Sequence, residues 1–194
     1  MQPSGNLPQS SMSLLNVQLH PQESFCFRIE SLQPQRSAIV IELSPDQQKI
    51  IQTHAEQAYP EECCGLLLGN LIHGRKILVE VRSLPNAWES ATNELNSDAD
   101  LSKSRRYWID PAAMLAVMRD ARSHHLEIIG VYHSHPNHAA VPSECDRQLA
   151  WQQYSYLIVS VHNGIARDFQ SWCLDDQHQF QPEVIQLTTA KVSA

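Results

Sequence analysis

No apolar run in this chain is long enough to cross a bilayer. The longest, such as Cys63 to Leu68 and Leu157 to Val161, stop after a few residues, where a helical span needs about 20. The N-terminus lacks a basic region followed by an apolar stretch and cleavage site, so neither a membrane span nor a secretory leader is expected. Positive charge is also scarce: 14 Lys+Arg stand against 21 Asp+Glu, a formal charge of -7, and the only basic block is the isolated Lys103 to Arg106 stretch. Broad nucleic-acid affinity is thereby disfavoured. The five cysteines, Cys26, Cys63, Cys64, Cys145 and Cys173, are odd in number and form no C-x-x-C. A disulfide framework is not expected, and a reducing, cytoplasmic location is the default. The chain has no G-x-G-x-x-G and no G-x-x-x-x-G-K-[ST], which leaves a standard dinucleotide or nucleoside-triphosphate site without support. It also lacks H-E-x-x-H, G-x-S-x-G and the P-C-x-x-C of zinc nucleobase deaminases.

What is present is an ordinary globular composition, 42% hydrophobic and 18% charged over 194 residues, enough for one sizeable core and one domain. Residues 1–36 are rich in Gln, Ser and Pro without a sustained period and read as a disordered leader, in which "SFCFRIE" could add a short strand. Residues 37–187 read as the folded domain and 188–194 as a polar tail. The run "SAIVIEL" opens the domain as a strand. Ser44, Pro45 and Gln47 then supply a cap, a first-turn proline and a capping box, predicting a helix to about Ala58 with Ile50, Ile51, His54, Ala55 and Ala58 inward. "CCGLLLG" is a buried strand, joined by a loop at "NLIHGRK" to "ILVEV". Residues 83–106 are a long polar connection, and "YWI" a short strand. Asp110 and Pro111 start a second helix to about Ser123 with Met114, Val117, Met118 and Ala121 on one face. The strand "LEIIGVYHSHP" follows, then a short helix begun by Ser143. Two strands turning at Asn163-Gly164 and a last strand around "PEVIQL" complete an α/β arrangement with a mixed sheet.

The chemistry gathers in "YHSHPNHAAVPSECD". His133 and His135 are two apart on an extended segment, so their imidazoles face the same way. Pro136 turns the chain, letting Asp146 return as a third ligand from the first turn of the next helix. Two nitrogens and one carboxylate oxygen, with a fourth position open, form a catalytic zinc set; iron binds similar ligands, but zinc suits hydrolysis without a redox partner. His138 is ambiguous, a further ligand or an exposed loop histidine. Such a site needs a base. Glu62, just before the buried strand, is the best candidate, with Glu61 and Glu144 as rivals on spacing. Ser143 is read as a donor to the oxyanion. Cys145 and the Cys63-Cys64 pair are read as small packed side chains, not nucleophiles. A His-x-His strand also opens amidohydrolase barrels, but this chain is short for one and carries the strand past its midpoint.

These residues resemble the JAMM metalloprotease family, also called the MPN-plus or JAB domain, whose pattern is an upstream Glu, then His-x-His-Pro, a spacer and Ser-x-x-Asp. Glu62 in "PEECCGLLLG", "HSHP" at His133 to Pro136 and "SECD" at Ser143 to Asp146 match it, and the similarity covers approximately Ile39 to Leu174. The resemblance selects Glu62 over Glu61. It implies a single domain with a curved mixed sheet flanked by helices, of the compact stand-alone prokaryotic type. It also implies Zn2+ held by His133, His135 and Asp146, Glu62 activating the water and Ser143 assisting the tetrahedral intermediate. The substrate it implies is the peptide or isopeptide bond after the C-terminal Gly-Gly of a ubiquitin-like or sulfur-carrier protein. The alternative is a non-enzymatic module that binds such a partner.

Overall fold

The computed structural model describes residues 40–89 and 102–189, all within one compact unit, residues 36–194. The leader expected over 1–36, its "SFCFRIE" strand and most of the polar tail lie outside the described residues, as do 90–101 of the long connection. Among the described residues, seven strands and three complete helices follow in chain order. They are β1 (Val40–Leu43), α1 (Pro45–Ala58), β2 (Cys64–Ile72), β3 (Arg75–Leu84), α2 (Pro111–Ser123), β4 (Glu127–Pro136), α3 (Glu144–Leu149), β5 (Ser155–His162), β6 (Ile165–Leu174) and β7 (Phe180–Leu187).

Local chemistry accounts for most boundaries. Ser44 Oγ accepts from Gln47 N at 3.2 Å while Gln47 Oε1 accepts from Ser44 N at 2.7 Å, the reciprocal box that starts α1. Gln47 Nε2 then donates to the Leu78 and Val79 carbonyls at 3.1 and 3.0 Å, so the same cap ties the helix to β3. Ile51 and Ala55 are buried, one turn apart on the inner face, but Ile50 is 50% exposed; one residue earlier it is rotated about 100° off that face. The hairpin between β2 and β3 is tighter than expected. The strands extend to Ile72 and Arg75, and His73 and Gly74 turn with φ of 49° and 77°, a pair of positive values suited to the twist of flanking strands. Asp110 Oδ1 accepts from Ala112 N at 2.9 Å and starts α2.

Antiparallel hairpins and parallel neighbours produce the order β1-β3-β2-β4-β5-β6-β7, closed into a barrel because β1 pairs in parallel with both β3 and β7. The mixed sheet is therefore curved to closure. Alternation sorts its side chains. Leu67, Ile129, Leu157 and Val159 pack with Ile51 and Ala55 of α1, whereas Leu66, Leu68, Ile128 and Val131 pack with Val117 and Ala121 of α2. Each fully buried Leu or Ile contributes about 1.5–3 kcal/mol. β4 lies between β2 and β5 with helices over both faces and is buried from Ile128 to Pro136. Gly65 of β2 is required by a close approach, since a Cβ there would meet the Tyr132 ring at 2.4 Å. No helix among the described residues is long and apolar enough to cross a membrane.

Candidate active site

The end of β4 builds the centre. His133 and His135 leave the same face of the strand, and α3 brings Asp146 to them. His133 Nε2 and His135 Nε2 are 3.0 Å apart, and the Asp146 oxygens lie 3.5 Å from His133 Nε2 and 3.8 Å from His135 Nε2. Tetrahedral zinc with bonds near 2.0–2.1 Å needs ligand separations of about 3.3 Å, so these side chains fit such an ion. Among the described residues they are also the set whose ligand atoms all converge within 4.8 Å. His138 lines the neighbouring cavity but does not join this set.

Each of the three side chains is held by a different device. His135 Nδ1 lies 2.7 Å from the Ala139 carbonyl; a carbonyl only accepts, so Nδ1 carries the hydrogen and Nε2 keeps a lone pair facing the centre. His133 is fully buried, and its Nδ1 has no hydrogen-bond partner. Its ring is positioned instead by Tyr107, stacked at 4.4 Å and 22°. Burial lowers the His133 pKa to about 4, with His135 acting in the same direction and Asp146 opposing, which leaves the ring neutral and able to ligate near pH 7. Burial alone would lower His135 too, but Asp146 and the Ala139 carbonyl outweigh it and raise the ring.

Asp146 has two tasks. Its Oδ2 accepts from Ser143 N at 2.6 Å while Ser143 Oγ accepts from Asp146 N at 3.2 Å, so the carboxylate that faces the histidines is also half of the box that caps α3. Burial would raise this carboxyl; the facing histidines and Ser143 outweigh burial and hold it well below the usual carboxylate range. With Ser143 Oγ accepting from the backbone, its own O–H hydrogen is left to donate elsewhere.

Glu62 reaches the site because the start of β2 is bonded to the end of β4. Cys63 N donates to Ser134 Oγ at 2.9 Å and Ser134 N to the Cys63 carbonyl at 3.2 Å, while Cys64 is in register with His133. Ser134, between the two histidines and pointing the other way, therefore fixes the residue next to Glu62. Glu62 is only 6% exposed and shares a cavity of about 620 Å³ with His135, Ser143 and Asp146. Glu61 and Glu144 are absent from that lining, and Glu144 instead pairs with Arg147. Burial raises the Glu62 carboxyl from 4.5 to about 8, with Asp146 adding to the rise and His135, Arg106 and Arg105 opposing it. Burial also pushes Cys63 and Cys64 up to about 12, leaving both as thiols.

A stability effect follows for metal-free protein. Between pH 4.5 and about 8 the folded state keeps a proton on Glu62 that the unfolded chain releases, so this group's contribution falls as pH rises. Glu62→Gln lacks the effect. Its melting temperature should gain on the parent's from pH 5 to pH 8, by on the order of 5 °C in thermal melts with chelator; a constant difference would contradict the raised carboxyl.

Three residues of the site carried no sequence signal. "YWI" forms no strand: Tyr107 packs on His133, and Trp108 N donates to Asn86 Oδ1 at 3.2 Å. Asn86 Nδ2 bridges the Glu62 and Arg106 carbonyls at 3.0 and 2.9 Å. An asparagine in a polar loop and an aromatic 26 positions before its histidine have no spacing that marks them; the pairing of β2 with β3 and with β4 is what brings Asn86, at the exit of β3, beside Glu62 and the histidines.

The chain matches the family model described as prokaryotic homologs of the JAB domain over residues 44–175, well over half its length. The desampylase of Haloferax volcanii is 29% identical over 125 residues, covering 62% of this chain and 80% of that protein. A solution structure of a protein from Desulfitobacterium hafniense is similar with a TM-score of 0.62 at 29% identity, covering 76% of this chain and 92% of that one. One from Salinibacter ruber gives 0.57 at 28% identity, with 80% and 95% covered. This chain belongs to the prokaryotic JAB-domain family.

Proposed function

We propose that the chain is a zinc-dependent peptidase or isopeptidase that hydrolyses the bond after the C-terminal Gly-Gly of a ubiquitin-like or sulfur-carrier protein. The observation that carries this reading is the convergence of His133, His135 and Asp146, two of which, His135 and Asp146, share one cavity with the buried Glu62 carboxyl. The Haloferax volcanii relative, named desampylase, is in keeping with it. Among the described residues Cys63, Cys64, Cys145 and Cys173 are free, which suits action in a reducing cytoplasm.

His133, His135 and Asp146 hold the ion, which when bound supplies a Lewis acid for the scissile carbonyl and makes water more acidic. Glu62 takes the proton from the attacking water and returns it to the leaving nitrogen; burial makes its carboxyl more basic than an ordinary one, and a bound dication would draw it back towards the ionised form that a general base needs. The Ser143 O–H donates to the oxygen on which negative charge develops. The cavity walls, including Met114, Met118, Trp151 and Tyr156, are largely apolar, which lowers the local dielectric and strengthens both interactions. A Gly-Gly tail suits the approach because its backbone meets no side-chain obstruction.

The experiment is intact-mass analysis of ubiquitin-like and sulfur-carrier candidates bearing C-terminal extensions, incubated with zinc-loaded protein. Loss of mass immediately after Gly-Gly that stops with chelator is the expected result. Stable binding without cleavage by folded, zinc-occupied protein would favour a binding module in its place.

A further inference from the structure

Two cations line the cavity without a task in the scheme above. Arg105 and Arg106 are the only Lys or Arg side chains among the described residues of its lining. Arg106 Nη1 donates to the Arg105 carbonyl at 2.8 Å; among the described residues neither guanidinium has a carboxylate partner. In a chain of net charge -7, two cations lining an otherwise apolar-walled cavity mark the part of it suited to an anionic group.

Their placement is tied to the proposed base by the backbone. Glu62 N donates to the Lys103 carbonyl at 2.8 Å, and Arg105 N closes a turn on Ser102 at 3.0 Å. The Glu62 carbonyl is joined to that of Arg106 through the two hydrogens of Asn86 Nδ2. Asn86 Oδ1 in turn accepts from Trp88 N and Trp108 N at 3.1 and 3.2 Å. Segment 102–108 is thus bonded to residue 62 on both of its backbone groups, one directly and one through a single amide. Both guanidiniums also act on the Glu62 carboxyl, and Arg106 acts on Cys145 across the cavity. Both arginines therefore share the cavity with the proposed base, on a segment whose backbone is bonded to residue 62.

The geometry points to Arg106, with Arg105 beside it, as the reader of a free carboxylate on the leaving residue, so that the enzyme releases a C-terminal amino acid or short acid-ended peptide in preference to a lysine side chain of a folded protein. The planar guanidinium matches a carboxylate with two parallel hydrogen bonds. This inference rests on the peptidase reading for its chemistry. In that reaction one water is consumed. Its oxygen joins the glycine carbonyl carbon, the C–N bond breaks, and one water proton passes through Glu62 to the departing nitrogen. The products are a carrier ending in a glycine carboxylate and a free amine that keeps its own carboxylate. An ε-amine of lysine within a protein brings no carboxylate to this corner and forfeits the contact.

The test uses the full-length, zinc-loaded chain and three synthetic peptides. One ends Gly-Gly-Ala as the free acid, one is its C-terminal amide, and one joins Gly-Gly to the Nε of an internal lysine. The expected kcat/KM for the acid exceeds that for the other two by about tenfold or more. Arg106→Gln should bring the acid-to-amide ratio near one, and Arg106→Lys, keeping the charge but not the fork, should give an intermediate ratio. Cleavage of acid and amide at equal rates by the parent protein overturns the inference and leaves the peptidase reading standing. If no peptide is cleaved, the peptidase reading fails, and calorimetric binding to Glu62→Gln decides the role of Arg106. Acid binding about tenfold tighter than amide binding, lost on adding Arg106→Gln, supports it; equal binding, or binding of neither, overturns it.

Discussion

Glu62→Gln is expected to retain zinc and to lower turnover about 10²–10⁴-fold, the usual worth of a positioned general base. The amide has the shape of the carboxyl it replaces, and Glu62 is not among the converging ligands, so elemental analysis should find the metal unchanged. The bonds that place the residue are made by its backbone and by Cys63 and Asn86, not by its side chain, so the variant keeps the cavity and loses only the proton acceptor. The loss should appear in kcat more than in KM, because the proton moves only in the chemical step. Hydrolysis retained by a clean preparation would remove Glu62 from its assigned role; loss of zinc would make it a ligand.

The second large effect lies far from the chemistry. Lys76 Nζ donates to Ser155 Oγ at 2.8 Å, Ser155 Oγ donates to Glu183 Oε1 at 2.9 Å, and Ser171 Oγ donates to Glu183 Oε2 at 2.5 Å. Lys76 and Glu183 are themselves 3.7 Å apart and nearly without solvent contact. Burial lowers the Lys76 pKa and Glu183 opposes it. Glu183→Gln would leave the ammonium uncompensated and should destabilise the fold by about 3–5 kcal/mol in urea unfolding. The deficit should shrink as pH rises towards the ordinary lysine value of 10.5, since a neutral amine costs less to bury. Lys76→Met with Glu183→Leu should recover most of the loss, because an apolar pair of similar size removes both desolvation costs. A Glu183→Gln protein as stable as the parent would show that the pair is open to water.

Local signals made much of this legible in advance. Ser44, Pro45 and Gln47 mark the start of α1; Asn163 and Gly164, with φ of 51° and 78°, mark the turn between β5 and β6. His133, His135, Ser143 and Asp146 are close in sequence, so their convergence needs only one strand, one turn and one capped helix. Glu62, by contrast, was singled out by its motif, and its proximity depends on the pairing of β2 with β4. Closure of the sheet was not readable because β1 and β7 are short, ordinary strands whose pairing joins Val40 to Val184. The exposure of Ile50 was missed because a helix face read from composition alone is wider than the stripe the sheet covers.

Closure has a consequence for how the chain is cut. The stretch that the family model matches, residues 44–175, omits both β1 and β7. Trimmed to that stretch, the sheet would present two free edges, at β3 and β6, each a row of unpaired amides and carbonyls ready to template another chain. The same cut would delete Glu183 and strand its lysine partner in the wall. Such a fragment would carry every residue of the proposed site and still be prone to aggregate, because the seam that keeps this sheet from self-association is made by the two strands outside the signature.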